Sequence, residues 1–383
     1  MKYEKNIKLF KLDEKDFKNM INNRNTYINS GDYTFSSTEN EINKLSNQLF
    51  LKQEKFIIKN KEARDENTLI TIIPKNNINI PLHRPGEYLI LSVYIAGNYY
   101  SRPYYIITSD NKDESEYTIS VLKQEDGLVS EYLRNINLGN EVTISGLYGN
   151  TYYNSVRDSN NIIAICSNHG INAVYSLAKS ITNSNAKIYL SIIYSVKKYS
   201  DIVFLKELQN LANKSSRIKL EIIISDEVVE GFETGYATEK IVSKYLTNNT
   251  TIFIYGPEGL LKYLNKELES LKLPRKYIRY EDYLPRCNIK NIKKYQMIIK
   301  YNEKEFKHSC FNNKTILDSI EDSRLIINSK SRTGQDNVCN VKLLAGRVKI
   351  VNDNRNHSER FLNMIDPANS YPNSNVIIEI SWF

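Results

Sequence analysis

The chain has 383 residues, 41% of them hydrophobic and 25% charged, which is material for roughly two to four domains. Its net charge of +8 is interspersed with acids, as in Lys59-Asn60-Lys61-Glu62-Ala63-Arg64-Asp65-Glu66, and no basic stripe with stacking aromatics forms, so a nucleic-acid groove is not expected. No apolar run reaches the ~18 residues of a membrane helix, and Met1-Lys2-Tyr3-Glu4-Lys5-Asn6 leads into no signal-like core, so no membrane insertion and a cytoplasmic location are expected.

Residues 1–52 are polar, with weak helical periodicity over Asp13–Phe17 and Glu41–Leu49. Short β-branched runs follow: Phe56–Ile58, Leu69–Ile73, Tyr88–Tyr94, Tyr104–Ile107, Tyr117–Val121 and Val142–Ser145. Turn residues separate them at regular spacing, which predicts a small antiparallel barrel. The rhythm then changes. Ile162–Cys166, Ile188–Tyr194, Leu220–Ser225 and Ile252–Tyr255 alternate with helical stretches at Asn172–Thr182, Phe204–Ala212, Thr238–Tyr245 and Gly259–Leu271. Such alternation predicts a parallel sheet covered on both faces. A polar connector at 288–294 leads to a hairpin, Gln296–Lys300 with Glu305–Ser309. A helix capped by Thr315 and a last strand near Asn375–Ser381 follow. Leu343, Leu344 and Val376–Ile380 are expected in that unit's core. The four cysteines, Cys166, Cys287, Cys310 and Cys339, form no C-x-x-C pair, so reduced thiols fit better than disulfides or zinc.

Four constellations carry chemistry. The first is Arg102-Pro103-Tyr104-Tyr105, preceded by Arg84-Pro85-Gly86-Glu87-Tyr88. The second is Gly127-Leu128-Val129-Ser130, followed by Gly146-Leu147-Tyr148-Gly149. The third joins Cys166-Ser167-Asn168-His169-Gly170-Ile171-Asn172-Ala173, Tyr194-Ser195-Val196-Lys197 and Tyr255-Gly256-Pro257. The fourth is Ser331-Arg332-Thr333-Gly334-Gln335-Asp336-Asn337-Val338-Cys339, with Ala368-Asn369-Ser370-Tyr371-Pro372 downstream. In this order they resemble the ferredoxin–NADP reductase family with a fused C-terminal plant-type [2Fe–2S] ferredoxin domain, over about residues 53–383.

The resemblance implies a multidomain fold: a partly helical extension (1–52), an antiparallel β-barrel flavin domain (53–150), an α/β parallel-sheet nucleotide domain (151–287) and a β-grasp ferredoxin-like α+β domain (294–383). It implies FAD, held by Arg102 through its phosphates, by Tyr104 stacking on the ring, by Tyr105 at flavin N5, and by Gly127, Val129 and Ser130 at a helix start. Strand alternation puts Arg102 and Tyr104 on one face, as both roles require, and a helix N-terminus is a natural anion site. NAD(P)H would meet Gly170, Asn172, Lys197, Gly256 and Pro257, with Tyr255 beside the nicotinamide.

This chain departs from the family pattern at several of these positions. Tyr105 stands where a small hydroxyl is usual, and Tyr255 where a cysteine is usual. Ser167 and Asn168 replace glycines, although Asn tolerates the left-handed backbone. His169 reads as a loop residue rather than a base. At the cluster positions Ser331, Asp336 and Ala368 replace thiolates and only Cys339 remains, so no [2Fe–2S] cluster is expected. The implied activity is a flavin-dependent NAD(P)H oxidoreductase passing electrons to an unknown acceptor or partner protein. The alternative is a non-catalytic scaffold or regulatory protein on the same fold.

Overall fold

A computed structural model describes residues 54–380, apart from 326–340, 282–288 and short pieces at 65, 77–79, 109–114, 125–126, 150, 290, 302, 352 and 354. Of the first 53 residues it describes 18–19, 21–23 and 25–26, all helical. Residues 1–49 and 50–383 are separate units, and the architecture below is that of the second. The expected helices at Asp13–Phe17 and Glu41–Leu49 lie outside the described residues.

The first sheet has six strands: β1 (Glu54–Ala63), β2 (Asn67–Pro74), β3 (Tyr88–Ile95), β4 (Asn98–Tyr105), β5 (Tyr117–Leu122) and β6 (Glu141–Tyr148). Their order is β4-β3-β6-β1-β2-β5, and every pairing is antiparallel. The free edges meet. Ile106 bridges Ile119, and the Ile107 N–H donates to the Thr118 carbonyl at 2.8 Å. This contact shields part of two edges that would otherwise recruit another chain. Period-2 alternation sends Phe56, Ile58, Ile70, Ile72, Leu89 and Leu91 inward. Gly146, at φ +63, is the extra residue of a bulge, because Leu89 pairs with Leu147 while Ile90 pairs with Ser145. Helix α1 (Leu128–Asn135) packs Val129 and Leu133 into the barrel core. Strand β4 begins at Asn98, earlier than the expected Tyr104. Left-handed Ala96 and Gly97 turn the hairpin, and Pro103 is tolerated because β4 lies at the sheet's edge.

The second sheet is fully parallel: β7 (Asn161–Ser167), β8 (Tyr189–Val196), β9 (Ile218–Ile224), β10 (Glu233–Thr234), β11 (Thr251–Tyr255) and β12 (Ile278–Glu281). The order is β10-β9-β8-β7-β11-β12. Helices α2 (Gly170–Asn183), α3 (Leu205–Lys214), α4 (Glu239–Ser243) and α5 (Glu258–Glu267) connect them. Burial on both faces explains the unbroken apolar run Ile162–Cys166. Tyr88, Ile90, Tyr105 and Ile107 of the barrel share a core with this sheet and α2, so the two layers meet in one apolar seam. The chain leaves β7 for β8 and returns to β11 on its other side. The strand order therefore reverses at the C-terminal ends of β7 and β11, where open α/β sheets bind ligands.

The third unit opens with the expected hairpin, β13 (Lys294–Tyr301) and β14 (Lys304–Phe311). Its five-stranded sheet runs β14-β13-β19-β15-β17, with β15 at Val341–Ala345, β17 at Met364–Ile365 and β19 at Val376–Ile380. Strand β19 lies parallel to β13. A small pair, β16 (Val348–Ile350) with β18 (Ser370–Pro372), and helix α7 (His357–Phe361) complete it. Helix α6 (Ile316–Asp322) starts in a reciprocal box: Thr315 Oγ1 accepts from the Asp318 N–H at 3.0 Å, and Asp318 accepts from the Thr315 N–H at 3.2 Å. Leu343 packs against the core as expected, whereas Leu344 is exposed, because successive residues of a strand face opposite sides. Among the described residues no helix is long and apolar enough to cross a membrane.

Candidate functional site

Arg102 and Tyr104 sit two residues apart on β4, opposite Leu91 and Leu89, so both project from one face. The Arg102 Nη1 donates to the Ser101 carbonyl at 2.8 Å and faces the Glu321 carboxylate of α6 at 3.3 and 3.5 Å. The Arg102 side chain is 29% exposed and that of Glu321 only 7%. Burial of its hydroxyl pushes the Tyr104 phenol well above its ordinary range, although Arg102 opposes the shift, so Tyr104 is a neutral, flat surface at ordinary pH.

Helix α1 follows Gly127, and among the described residues no side chain caps its N-terminus. Ser130 instead turns its hydroxyl onto the Gly127 carbonyl at 2.8 Å. A Cβ on Gly127 would stand 2.2 Å from Ser130 Oγ. The backbone amides at this start therefore remain directed outward, which suits an anion. Val129 has its side chain buried in the barrel core, so only its backbone is placed to meet a cofactor. A guanidinium, a stacking phenol and an uncapped helix start make a donor set that fits the phosphates and ring of a flavin nucleotide.

At the switch point Asn168 takes φ 48, the left-handed geometry its side chain tolerates. His169 belongs to this turn and contacts Gln124 Oε1 of the barrel at 3.0 Å. Gly170 opens α2 directly against β11: a Cβ there would stand 2.3 Å from the Tyr255 carbonyl oxygen. The glycine is thus required for close helix–strand packing. Gly170→Ala is expected to destabilise the protein by about 2–3 kcal/mol, read by urea denaturation, because the clash is with backbone that cannot rotate away. Asn172 is buried; its Nδ2 lies 3.5 Å from the Ser120 carbonyl of β5, and its Oδ1 has no hydrogen-bond partner among the described residues. Gly256 packs tightly, since a Cβ would meet Leu260 Cδ2 at 2.4 Å, and Pro257 provides the N-cap position of α5. Lys197 is exposed beyond β8, its carbonyl accepting from the Asp226 N–H at 2.9 Å.

The two unexpected tyrosines meet in the seam. The Tyr105 and Tyr255 rings are 6.4 Å apart and edge-on, and Tyr88 lies edge-on to Tyr105 at 5.9 Å. The Tyr255 hydroxyl donates to the Thr151 carbonyl at 2.6 Å, and the Tyr105 hydroxyl donates to Glu281 at 3.1 Å. Both rings are buried. The phenol of Tyr105, longer than a serine hydroxyl, reaches across to the C-terminal end of β12. Sequence reasoning missed both carboxylates, Glu281 and Glu321. An acid ending the last strand of a parallel sheet was the available signal for Glu281. Nothing local marks Glu321.

Of the cluster positions, Ser331, Asp336 and Cys339 lie outside the described residues. Ala368 is buried, its N–H donating to Asp366 at 2.8 Å. Cys310 on β14 is buried in the third unit's core, and burial pushes its thiol up to about 11, which suits packing rather than ligation. Among the described residues no group of three or more His, Cys, Asp or Glu could hold a metal ion.

Residues 56–153 match the oxidoreductase FAD-binding domain family. The chain is 27% identical over 246 residues to flavohemoprotein A of Dictyostelium discoideum, covering 61% of each chain. It is 27% identical over 198 residues to the glycine betaine monooxygenase reductase subunit of Chromohalobacter salexigens, covering 49% of this chain and 52% of that protein. It is 25% identical over 224 residues to NADH-cytochrome b5 reductase 1 of Dictyostelium discoideum, covering 57% of this chain and 77% of that one. It thus spans about half to two thirds of the length of the first curated relatives it matches. In structure it is similar to phthalate dioxygenase reductase, at a TM-score of 0.66 and 15% identity, over 86% of this chain and 98% of that one. It is also similar to the FAD/NAD-binding domain of nitric oxide dioxygenase from Vibrio cholerae, at a TM-score of 0.55 and 20% identity, over 61% and 99%. The closed antiparallel sheet, the parallel sheet beside it and the match over 56–153 converge: the chain carries an oxidoreductase FAD-binding domain within a ferredoxin-reductase-like fold.

Proposed function

We propose that the chain is a flavin-dependent NAD(P)H oxidoreductase of the ferredoxin-reductase type, working without a [2Fe–2S] cluster of its own and passing electrons to a separate acceptor or partner protein. The observation that carries this reading is the shared face of Arg102 and Tyr104 on β4, in a domain that matches FAD-binding oxidoreductases. A bound flavin accepts hydride and passes electrons on. The residues supply the rest. Arg102 and the α1 N-terminus offset phosphate charge, Tyr104 gives the ring a neutral surface, and Tyr105 with Tyr255 and Tyr88 keeps water from the seam. Gly170 and Asn172 follow β7, Gly256 and Pro257 follow β11, and Lys197 follows the neighbouring β8, and this position at the C-terminal ends where the strand order reverses supports a nicotinamide nucleotide there.

The proposed domains are 53–150, 151–287 and 294–383. The third is read as ferredoxin-like. In support, β19 runs parallel to β13 in a mixed sheet packed by α6, and the likeness to phthalate dioxygenase reductase reaches 86% of the chain. The absence of any ligating atom at Ala368 supports a unit without the cluster. The free thiols of Cys166 and Cys310 support a reducing, cytoplasmic setting.

A second reading, a non-catalytic scaffold, is favoured by the buried Tyr255, which fills the seam where a nicotinamide would approach. One spectrum separates them. Anaerobically purified protein is expected to show flavin bands, stoichiometric FAD and no iron, and the bands should bleach with NADH or NADPH. Colourless protein that refuses added FAD would favour the scaffold, and stoichiometric iron would overturn the cluster-free reading.

A further inference from the structure

Glu321 belongs to the third unit, yet its carboxylate lies 3.3 Å from the guanidinium that the flavin site requires. The helix bearing it is held firmly in its own unit. Ile316, Leu317 and Ile320 are buried, the Leu317 N–H donates to the Pro367 carbonyl at 2.9 Å, and Thr315 caps the start. On the flank of the same helix, Asp322 is already paired with Lys314 at 2.7 Å. Arg324, just beyond the helix, lies near the β3–β4 turn: a Cβ added at Gly97 would stand 3.8 Å from its guanidinium carbon. The end of α6 therefore seats on β4 and its hairpin turn, and the seat includes a nearly buried carboxylate facing Arg102.

We infer that Glu321 governs flavin affinity: it stands as an internal anion at Arg102, so a flavin phosphate and the docked end of α6 compete for one guanidinium. This rests on the reading of Arg102 as the phosphate-binding cation. The physical reason is charge balance. A carboxylate and a phosphate at one arginine place like charges within a few ångströms in a partly desolvated site, where each disfavours the other. Flavin binding must move Glu321 away or be weakened by it. With no ligating atom at Ala368, the domain carrying α6 keeps a role as a gate on the flavin-binding barrel.

The test uses the full chain and FAD itself. FAD fluorescence titration is run on the wild type, Glu321→Gln and Arg102→Ala. Hydrogen exchange of amides 316–324 is followed with and without FAD. Removing the competing charge in Glu321→Gln is expected to tighten FAD binding about tenfold. In the wild type FAD should speed exchange over 316–324, and the Gln variant should show little such change. The exchange arm needs no variant, so it stands even where Glu321→Gln folds poorly. Equal or weaker binding by a folded Glu321→Gln, or slower exchange over 316–324 on adding FAD, overturns the inference. If FAD binds the wild type and is lost in Arg102→Ala while Glu321→Gln matches the wild type, only the gate fails. If no form binds FAD, the flavin reading fails, and the gate with it.

Discussion

Arg102→Ala is expected to lower FAD affinity by about a hundredfold or more, and to leave protein that no longer reduces dyes with NAD(P)H. Charge-assisted hydrogen bonds contribute about 1.5–3 kcal/mol each, and a guanidinium offers two to a phosphate. The variant has a second consequence. Glu321 would lose a cation that lies 3.3 Å away while remaining buried, so thermal stability should fall by about 3 kcal/mol even without flavin. The two effects separate in the double variant Arg102→Ala/Glu321→Gln, which should regain much of the stability and none of the flavin affinity. Arg102→Lys should retain part of the affinity, since the charge survives while the planar fork is lost. Unchanged FAD binding in Arg102→Ala would remove the residue from the flavin site.

Asp158→Ala is the largest expected stability loss. The Asp158 side chain is fully buried between two arginines, with Arg157 Nη2 at 2.8 Å and Arg279 Nη2 at 3.2 Å, and it also accepts from the Asn154 N–H at 3.0 Å. It ties the segment entering β7 to β12 at the far edge of the parallel sheet. Removing one member of a buried charge cluster leaves the others uncompensated, which costs about 3–5 kcal/mol. For a cooperative unit of this size the melting temperature should fall by about 10 °C. Asp158→Asn should fall between, because it keeps the volume and one acceptor. A shift of only a degree or two in the Ala variant would show the cluster to be solvated and weak.

Much of the fold could be read from local pattern. Alternation placed the barrel strands, and the unbroken run Ile162–Cys166 marked a strand buried on both faces. Thr315 marked a helix start, and the structure added Asp318 as its reciprocal partner. The period-2 rule by itself puts Arg102 and Tyr104 on one face. Other features were hidden for physical reasons. Strand β4 starts at Asn98 because the Ala96–Gly97 turn and the pairing with β3 hold a stretch containing proline in line. The three-residue strands β16 and β18 have too little sequence to show a period, and exist only because each pairs with the other.

The sequence by itself determined most of the longer strands and helices, their order, and which residues could serve a flavin nucleotide. Those properties follow from backbone sterics and side-chain periodicity, which act over a few residues. The tertiary structure decided the partners. Glu321 meets Arg102 across 219 positions, Glu281 meets Tyr105 across 176, and Tyr255 fills the seam against Thr151 across 104. Ion pairs and buried hydrogen bonds act only over a few ångströms, so such partnerships arise when separate layers pack and desolvate their groups together.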